Sequence, residues 1–297
     1  CNTGYDHGLS RQFLESCQRI TAESLDIDDG SDRENEPGIR DSIIQLKKSY
    51  RFGTSSGIGA VSRAVNDGDS TLAIALMKGT SYHDIRWHDL PRPEALPSTI
   101  RDRVTRGFSE YLGKTDPREI LELFNNFRIL SVVREGPFGV RGLNLLVEQI
   151  LRHNGFIKRE GRWYEGRPVM VTKNDYNLRL FNGDVGITLA DLEGNNDLKV
   201  FFLAPDGAVR KIAPLRLPEH ETAYAMTVHK SQGSEFNQVL FILPDISAPI
   251  LTRELIYTAI TRAKEKVDVW GKEQIFHSAV SRRIARTSGL RDALWRR

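Results

Sequence analysis

Hydrophobic positions between residues 95 and 155 recur every three to four residues, which is the period of an amphipathic helix. Ile100, Val104 and Phe108 show this spacing, and it predicts a series of helices that includes one over residues 143–151. The apolar run ILSVV at residues 129–133 breaks the series and predicts a buried strand. Upstream, the pattern predicts helices over residues 9–20 and 58–65 and a short strand over 42–46.

The period changes to two after Trp163, which is typical of short β-strands. The turn sequence Asp206-Gly207 joins two of these strands as a hairpin. Four short strands within some fifty residues predict a small barrel inserted in a larger domain. The predicted strands are residues 168–172, 185–189, 200–204 and 209–212.

Strands and helices alternate again from Ala223, as in a parallel α/β sheet. The predicted organisation therefore has four parts. These are an N-terminal remnant with an acidic loop (1–40), the first part of an α/β domain (41–160), the inserted barrel (161–217), and the second part of the α/β domain with a basic tail (218–297).

Composition is that of a globular chain, with 39% hydrophobic and 27% charged residues among 297. Lysine and arginine total 42 against 39 acidic residues, an excess too small to indicate nucleic-acid binding by itself. Cys1 and Cys17 form neither a disulfide framework nor a zinc pattern. No apolar run has the length of a membrane span and no signal peptide is visible, so we expect a cytoplasmic protein.

Two segments imitate nucleotide-binding motifs. The run from Gly107 to Thr115 has five residues between its glycines, whereas a phosphate-binding loop needs four, between a strand and a helix. Its helical spacing predicts a helix that ends at a Gly113 cap. The run VLFILPD at 239–245 resembles a strand ending in a metal-binding aspartate, but Pro244 and the absence of a following glutamate favour an ordinary buried strand.

Four polar segments are candidates for chemistry, and two lie in the first half of the chain. In QLKKSYRF (45–52), Arg51 follows a predicted strand, and arginine stays protonated and binds phosphate oxygens as a fork. In REGPFGVRGLN (134–144), three glycines permit close approach of the backbone. Taken alone, Arg51 is a surface arginine in an ion pair, and the glycine-rich loop is equally well a plain turn.

The third segment is TVHKSQGSEF (227–236), which follows an apolar strand. Thr227, His229, Lys230 and Ser231 would lie at the carboxyl end of a parallel sheet, where ligands bind in open α/β folds. Hydroxyl, imidazole and ammonium groups suit contacts with sugar and phosphate rather than with bases. His229 taken alone is more simply a structural histidine.

The fourth segment is YTAITR (257–262), within a helix predicted over 254–264. Arg262 would lie near the end of this helix, and Thr258, about one turn earlier, would help to position it. Taken alone, Arg262 is an arginine favoured there by the helix dipole.

In this order, the four segments resemble the motifs of the second RecA-like domain of superfamily-1 helicases. The runs RWYEGRPVM, LPEHETAYAMTVHKSQGSEF and TRELIYTAITRA are similar to the RecD family within superfamily 1B. The resemblance covers about residues 43–271. It implies an α/β fold, a RecA-like parallel-sheet helicase domain with an inserted small SH3-like β-barrel.

The resemblance also implies an ATP-driven 5′-to-3′ DNA helicase of exodeoxyribonuclease V, acting beside RecB and RecC. Arg262 would be the catalytic arginine finger and Arg51 would reach the γ-phosphate, while Gly233 and Glu235 would approach the nucleotide, with Glu235 near the ribose. Single-stranded DNA would contact Thr227, His229, Lys230, Ser231, Lys173, Asn174, Asn182, Arg134 and Asn144. Asn182 is equally well explained as a turn former.

ATP and Mg²⁺ require parts that this sequence lacks. The phosphate-binding loop and the Asp-Glu segment for Mg²⁺ belong to the first RecA-like domain of such helicases, and neither pattern occurs here. The missing N-terminal RecA-like domain is therefore an expected partner, and we expect no ATP hydrolysis from this chain alone. The alternatives are a docking and DNA-contact module with idle motor motifs, or another superfamily-1B helicase.

Overall fold

The structure is a computed structural model that describes residues 11–21, 52–53, 55–158, 161–204 and 206–284. It divides into two compact units, residues 1–51 and 52–297. In the first unit, α1 (Arg11–Thr21) agrees with the helix predicted over 9–20. The strand predicted over 42–46 and the candidate Arg51 lie outside the described residues.

The second unit contains two sheets and the remaining helices. Its helices are α2 (Gly57–Asp67), α3 (Ser70–Lys78), α4 (Leu96–Leu112), α5 (Pro117–Phe124), α6 (Val140–His153), α7 (Arg253–Ile260) and α8 (Glu273–Ser281). Its strands are β1 (Ile85–Asp89), β2 (Phe127–Ser131), β3 (Pro168–Val171), β4 (Val185–Ala190), β5 (Leu198–Leu203), β6 (Val209–Ile212), β7 (His220–Thr222), β8 (Ala225–Thr227), β9 (Phe236–Ile242) and β10 (Ala263–Gly271).

The first sheet is parallel throughout, with the strand order β1-β10-β9-β2-β8. Both faces are covered, so its central strands are apolar at successive positions. On β9, Val239 and Phe241 belong to the core with α2, α3, α7 and α8, whereas Leu240 and Ile242 belong to the core with α4, α5 and α6. This architecture confirms the predicted parallel α/β domain and the buried strand at 239–242.

The second sheet is antiparallel, with the order β6-β5-β4-β3-β7, and it is the inserted element that the short strands predicted. One face has its own small core, which includes Val169 and Phe202. Ile187 and Phe201 of the other face join the core that contains α5. Val169 pairs with Thr222 between the first and last strands of the insertion. The sheet thus extends beyond residue 217, because β7 follows the 3-10 turn Pro214–Arg216.

The run that imitates a phosphate-binding loop is the end of a helix, as predicted. Gly107 lies within α4, and Gly113 is the residue that follows the helix. A Cβ on Gly107 would lie 2.1 Å from Cδ1 of Phe127, whereas the nearest atom to a Cβ on Gly113 is 3.7 Å away. Gly107 therefore allows α4 to pack closely on β2.

Several elements differ from the sequence-based expectations. Helix α7 ends at Ile260, so Arg262 lies in the turn before β10 and not on the helix. The apolar alternation of β10 explains this early end, since Val267 and Val269 are buried on the sheet. Helix α3 and strand β1 were not predicted, although Asp69 caps α3 through a 2.8 Å bond from the Leu72 amide.

No helix in the described part of the chain has the length and apolar composition needed to cross a membrane.

Candidate nucleic-acid and nucleotide interface

The carboxyl ends of β2 and β8 bring two of the candidate segments together. Ser131 and Thr227, the last residues of these strands, are paired in register. The 134–144 loop leaves β2 and the 227–236 segment leaves β8 at this edge. The position of Thr227 at the end of a parallel strand agrees with the expectation from sequence.

A groove of about 1040 Å³ lies between this edge and strand β7. Arg134, Asn144 and Lys230 line it, so three residues predicted to bind DNA share one surface. Glu221 of β7 lies between the two cations. Its Oε2 accepts from Arg134 Nη2 at 2.6 Å, and its Oε1 accepts from Lys230 Nζ at 3.0 Å. Sequence reasoning missed Glu221, although it precedes the 227–236 segment closely.

Glycines shape the 134–144 loop for its own packing. Ser131 Oγ donates to the Phe138 carbonyl at 2.7 Å and closes the start of the loop. A Cβ at Gly139 would lie 2.3 Å from the Glu135 carbonyl oxygen, and one at Gly142 would lie 2.6 Å from that of Gly136. Gly139 is explained by the loop itself and Gly142 by the close approach of the first turn of α6 to that loop, whereas Arg134 points its guanidinium into the groove.

Asn144 pairs with the backbone of the edge strand β8. Its Nδ2 donates to the Ala225 carbonyl at 3.0 Å, and its Oδ1 accepts from the Ala225 amide at 2.9 Å. The side chain is buried, and these bonds satisfy the outward-facing backbone groups of an edge strand. In this structure Asn144 therefore ties α6 to β8.

The polar residues after β8 have unequal exposure. His229 is exposed, and Lys230 is half-buried with its amide donating to Thr227 Oγ1 at 3.3 Å. Ser231 is fully buried, and its hydroxyl donates to the Val228 carbonyl at 2.7 Å. Thr227, His229 and Lys230 are therefore accessible to a ligand here, while Ser231 stabilises the 3-10 turn His229–Ser231.

The described nucleotide candidates, Gly233, Glu235 and Arg262, lie at the amino edge of the sheet, where the parallel strands begin. Residues 228–235 run back from the end of β8 to the start of β9, where Gly233 and Glu235 are exposed. Arg262 immediately precedes β10 and joins them. Its Nη1 donates to the Ser234 carbonyl at 3.1 Å, its Nε donates to the Thr258 carbonyl at 3.2 Å, and its own carbonyl accepts from the Phe236 amide at 2.9 Å.

The conformation of Gly233 leaves room for a ligand at this edge. Its φ is +85°, a left-handed value that suits glycine, and no atom lies within 4 Å of the place where a Cβ would be. Glu235 Oε2 lies 3.9 Å from Lys264 Nζ, a loose and exposed ion pair. An arginine, an open glycine and an accessible carboxylate thus converge where two candidate motifs meet.

The loop between β3 and β4 carries the remaining candidates. Lys173 is exposed and lies 3.6 Å from Glu219 at the rim of the groove. Asn174 Oδ1 accepts from the Asn182 amide at 2.8 Å, so these two residues hold the loop together.

Tyr176 and Phe181 in the same loop were not singled out from the sequence. They are 75% and 48% exposed, with ring centroids 6.2 Å apart in an edge-to-face arrangement. Aromatic residues interleaved with Lys173 and the asparagines were the signal that could have identified them, because exposed rings beside cations are typical of single-strand binding surfaces.

A buried polar network fixes the small sheet against the wall of the groove. Tyr164 donates to Glu148 Oε1 at 2.8 Å, and Arg167 Nη2 donates to Thr222 Oγ1 at 2.9 Å. Burial raises the pKa of the Tyr164 hydroxyl and lowers the pKa of the Arg167 guanidinium. Burial also lowers the pKa of His220, with the positive charges of Arg162 and Arg167 adding to the effect, so His220 is neutral at pH 7.

In the described ranges, no three His, Cys, Asp or Glu side chains are grouped so as to hold a metal ion.

Comparison with protein families indicates the class of protein to which part of the chain is similar. Residues 222–269 match the model of the UvrD-like helicase C-terminal domain. This stretch contains the 227–236 segment and Arg262, which the structure places in direct contact. This part of the chain is therefore similar to a UvrD-like helicase C-terminal domain.

Individual relatives of the chain include RecD subunits. The chain is 39% identical over 257 residues to the RecBCD enzyme subunit RecD of Mycolicibacterium smegmatis, which is 85% of this chain and 44% of that protein. It is 34% identical over 283 residues to RecD of Haemophilus influenzae, covering 88% of this chain and 42% of that protein. The resemblance to the RecD family is thereby confirmed, and the chain spans less than half the length of these relatives.

One solved structure, the Pif1 helicase from Bacteroides in complex with ADP-AlF3 and ssDNA, is 15% identical with a TM-score of 0.40. The alignment covers 84% of this chain and 55% of that one.

Proposed function

We propose that this chain is the second motor domain of an ATP-dependent 5′-to-3′ DNA helicase subunit of the RecD type, acting in the cytoplasm beside RecB and RecC. The observation that supports this most is the contact of Arg262 with the 227–236 segment at the amino edge of the sheet. A 37% identity over 166 residues to the ATP-dependent RecD2 DNA helicase of Deinococcus radiodurans adds support.

The amino edge fits a nucleotide phosphate chain. Gly233 lets a ligand approach the backbone, Glu235 is accessible as an acceptor for a ribose hydroxyl, and Arg262 supplies a positive charge anchored by two carbonyl oxygens. Bound ATP with Mg²⁺ supplies the phosphoryl group whose hydrolysis drives movement along DNA. Arg262 would stabilise the charge that develops on the transferred group, with Arg51 as a second proposed cation.

The carboxyl edge and the small sheet would hold single-stranded DNA. Arg134 and Lys230 in the groove and Lys173 at its rim suit phosphates, and Tyr176 and Phe181 suit unstacked bases. The two edges are one strand length apart, roughly 13 Å for the four intervals between the 5 residues of β2. We propose that residues 228–235 connect the DNA contacts to the nucleotide contacts across this distance.

The phosphate-binding loop would come from another RecA-like domain, since its pattern does not occur in this sequence. We therefore expect no Mg²⁺-dependent ATP hydrolysis from the 297-residue chain alone, with or without single-stranded DNA. DNA-stimulated turnover that Arg262→Ala abolishes would contradict this and would mean that the chain holds its own phosphate site.

The role of Arg262 is tested in a complete RecD-type protein that contains this chain. Arg262→Ala should lower kcat for ATP hydrolysis by roughly 10³-fold or more, because an arginine finger acts on the transition state. Arg262→Lys should restore little, since it keeps the charge but not the fork. Full ATPase activity of both variants would refute the arginine-finger role of Arg262, whereas a wild-type protein that binds RecB and RecC without hydrolysing ATP would favour the docking-module alternative.

A further inference from the structure

The groove at the carboxyl edge contains an ion triad with an unusual composition for a DNA-binding surface. Arg134 follows β2, Lys230 follows β8, and Glu221 belongs to β7 of the small sheet. One carboxylate oxygen binds each cation, at 2.6 Å and 3.0 Å. Three separate elements thus meet at a single carboxylate.

We propose that Arg134 and Lys230 form one binding site for a backbone phosphate of single-stranded DNA, and that the Glu221 carboxylate occupies this site until DNA displaces it. The inference rests on the proposed DNA-binding function and names the residue that sets its affinity. A phosphodiester, like a carboxylate, presents two charged oxygens on one centre, and charge-assisted bonds from arginine and lysine suit both.

Burial makes this occupancy consequential. The side chains of Glu221 and Lys230 are each 21% exposed, so their attraction is screened less than that of a surface pair. Arg134 is 45% exposed and reaches the carboxylate from the solvent side of the groove. An incoming phosphate can therefore engage Arg134 first and take over Lys230 as Glu221 leaves.

The other carboxylates in the groove disfavour a new position for the displaced Glu221 carboxylate within it. Glu219 and Glu148 also line it, while His220 is neutral at pH 7 and pairs with Arg162 at 3.1 Å between ring Nε2 and Nη2. Displacement of Glu221 moves its charge towards solvent, and β7 is bonded to β3 in the small sheet. The same displacement therefore transmits DNA binding to β7 of the small sheet.

The test compares Glu221→Gln with Glu165→Gln in the 297-residue chain. Both variants remove one negative charge, but Glu165 is exposed and does not line the groove. Binding of a fluorescent oligothymidylate is measured by anisotropy over a series of salt concentrations. Thermal unfolding of each variant establishes that it is folded.

We expect Glu221→Gln to bind about tenfold more tightly than the wild type at low salt. Freeing both cations for one phosphate should also steepen the slope of log K against log salt by up to about 0.7, the value per phosphate for a single strand. Glu165→Gln should change neither quantity. Adding Arg134→Gln and Lys230→Gln to Glu221→Gln should cancel the gain.

Each other outcome has a distinct meaning. If Glu221→Gln and Glu165→Gln both bind DNA with the affinity and the salt dependence of the wild type, the proposal that Glu221 occupies the phosphate site is overturned. The proposed DNA-binding function is not affected by that result. The absence of binding by every variant at low salt would overturn the proposed DNA contact itself.

Discussion

Replacement of Gly107 by alanine tests the close packing of α4 on β2, which explains this glycine without a phosphate-binding loop. Gly107 lies inside α4, where alanine is intrinsically favoured over glycine by about 1 kcal/mol. The added methyl would lie 2.1 Å from Cδ1 and 2.5 Å from Cγ of Phe127. The ring of Phe127 is buried and packs edge-to-face on Phe108 at 5.1 Å, so it has no free space to enter.

The two effects have opposite signs, and packing should dominate. Overpacking in a core costs about 1–3 kcal/mol, and an overlap of this depth belongs at the upper end. After the helix-propensity gain is subtracted, Gly107→Ala should lower the free energy of unfolding by about 1–2 kcal/mol. This corresponds to a fall in Tm of roughly 2–8 °C for a domain of this size.

Gly113→Ala is the matched control, because it is a second glycine of the same run with no close neighbour. A Cβ at Gly113 would lie 3.7 Å from the Glu110 carbonyl oxygen, and its φ of −93° is open to alanine. We expect a change within about 0.5 kcal/mol. The assay is thermal and urea unfolding followed by circular dichroism. A Gly107→Ala protein as stable as Gly113→Ala would refute the packing argument.

Three further predictions concern stability or DNA binding. Asn144→Ala should lower the free energy of unfolding by about 2–4 kcal/mol in urea unfolding, since both outer backbone groups of Ala225 lose their partner; unchanged stability with weakened DNA binding would instead make Asn144 a ligand contact. Burial alone would raise the pKa of Asp268, but the hydrogen bond from His88 and the charge of Arg103 outweigh it and lower the pKa below 3.8. The free energy of unfolding of the wild type should therefore be about 1–2 kcal/mol higher than that of Asp268→Asn above pH 4. This difference should vanish as the pH falls through the lowered pKa of Asp268. A pH-independent difference between their urea midpoints would contradict the prediction. Tyr176→Ala should weaken oligothymidylate binding about 5- to 150-fold in anisotropy titrations, because stacking contributes about 1–3 kcal/mol per base, while Tyr176→Phe should bind as wild type; equal binding of both would exclude stacking on this ring.

Local pattern predicted the fold where burial follows a simple period. Helix α6 and strand β6 lie where periodicity placed them, and the parallel sheet followed from alternating elements. The predicted end of α7 at residue 264 was wrong, because TRAKEK (261–266) is compatible with a helix and only pairing with β9 makes residues 263–266 a strand. Sheet pairing is non-local, so the residues themselves do not contain it.

The candidate site shows the same division. Motif order predicted that the 227–236 segment and Arg262 act together, and the structure joins them through Ser234 and Phe236. It did not predict that this segment spans two edges of the sheet, nor that Glu221 lies between Arg134 and Lys230. Those features depend on where the small sheet docks, which is decided by buried side chains such as Ile187 and Phe201.

The pairing of Val169 with Thr222 has a consequence for the order in which the chain assembles. Strands β2 and β8 are neighbours, yet roughly 90 residues separate them, and closing such a loop is entropically costly. Once the antiparallel hairpins have formed, the ends of the insertion lie side by side and the effective loop shrinks to roughly 40 residues, which lowers the closure cost by about 0.8 kcal/mol. We therefore expect the small sheet to form before β8 pairs with β2, so that the edge strand leading into the 227–236 segment would be completed last.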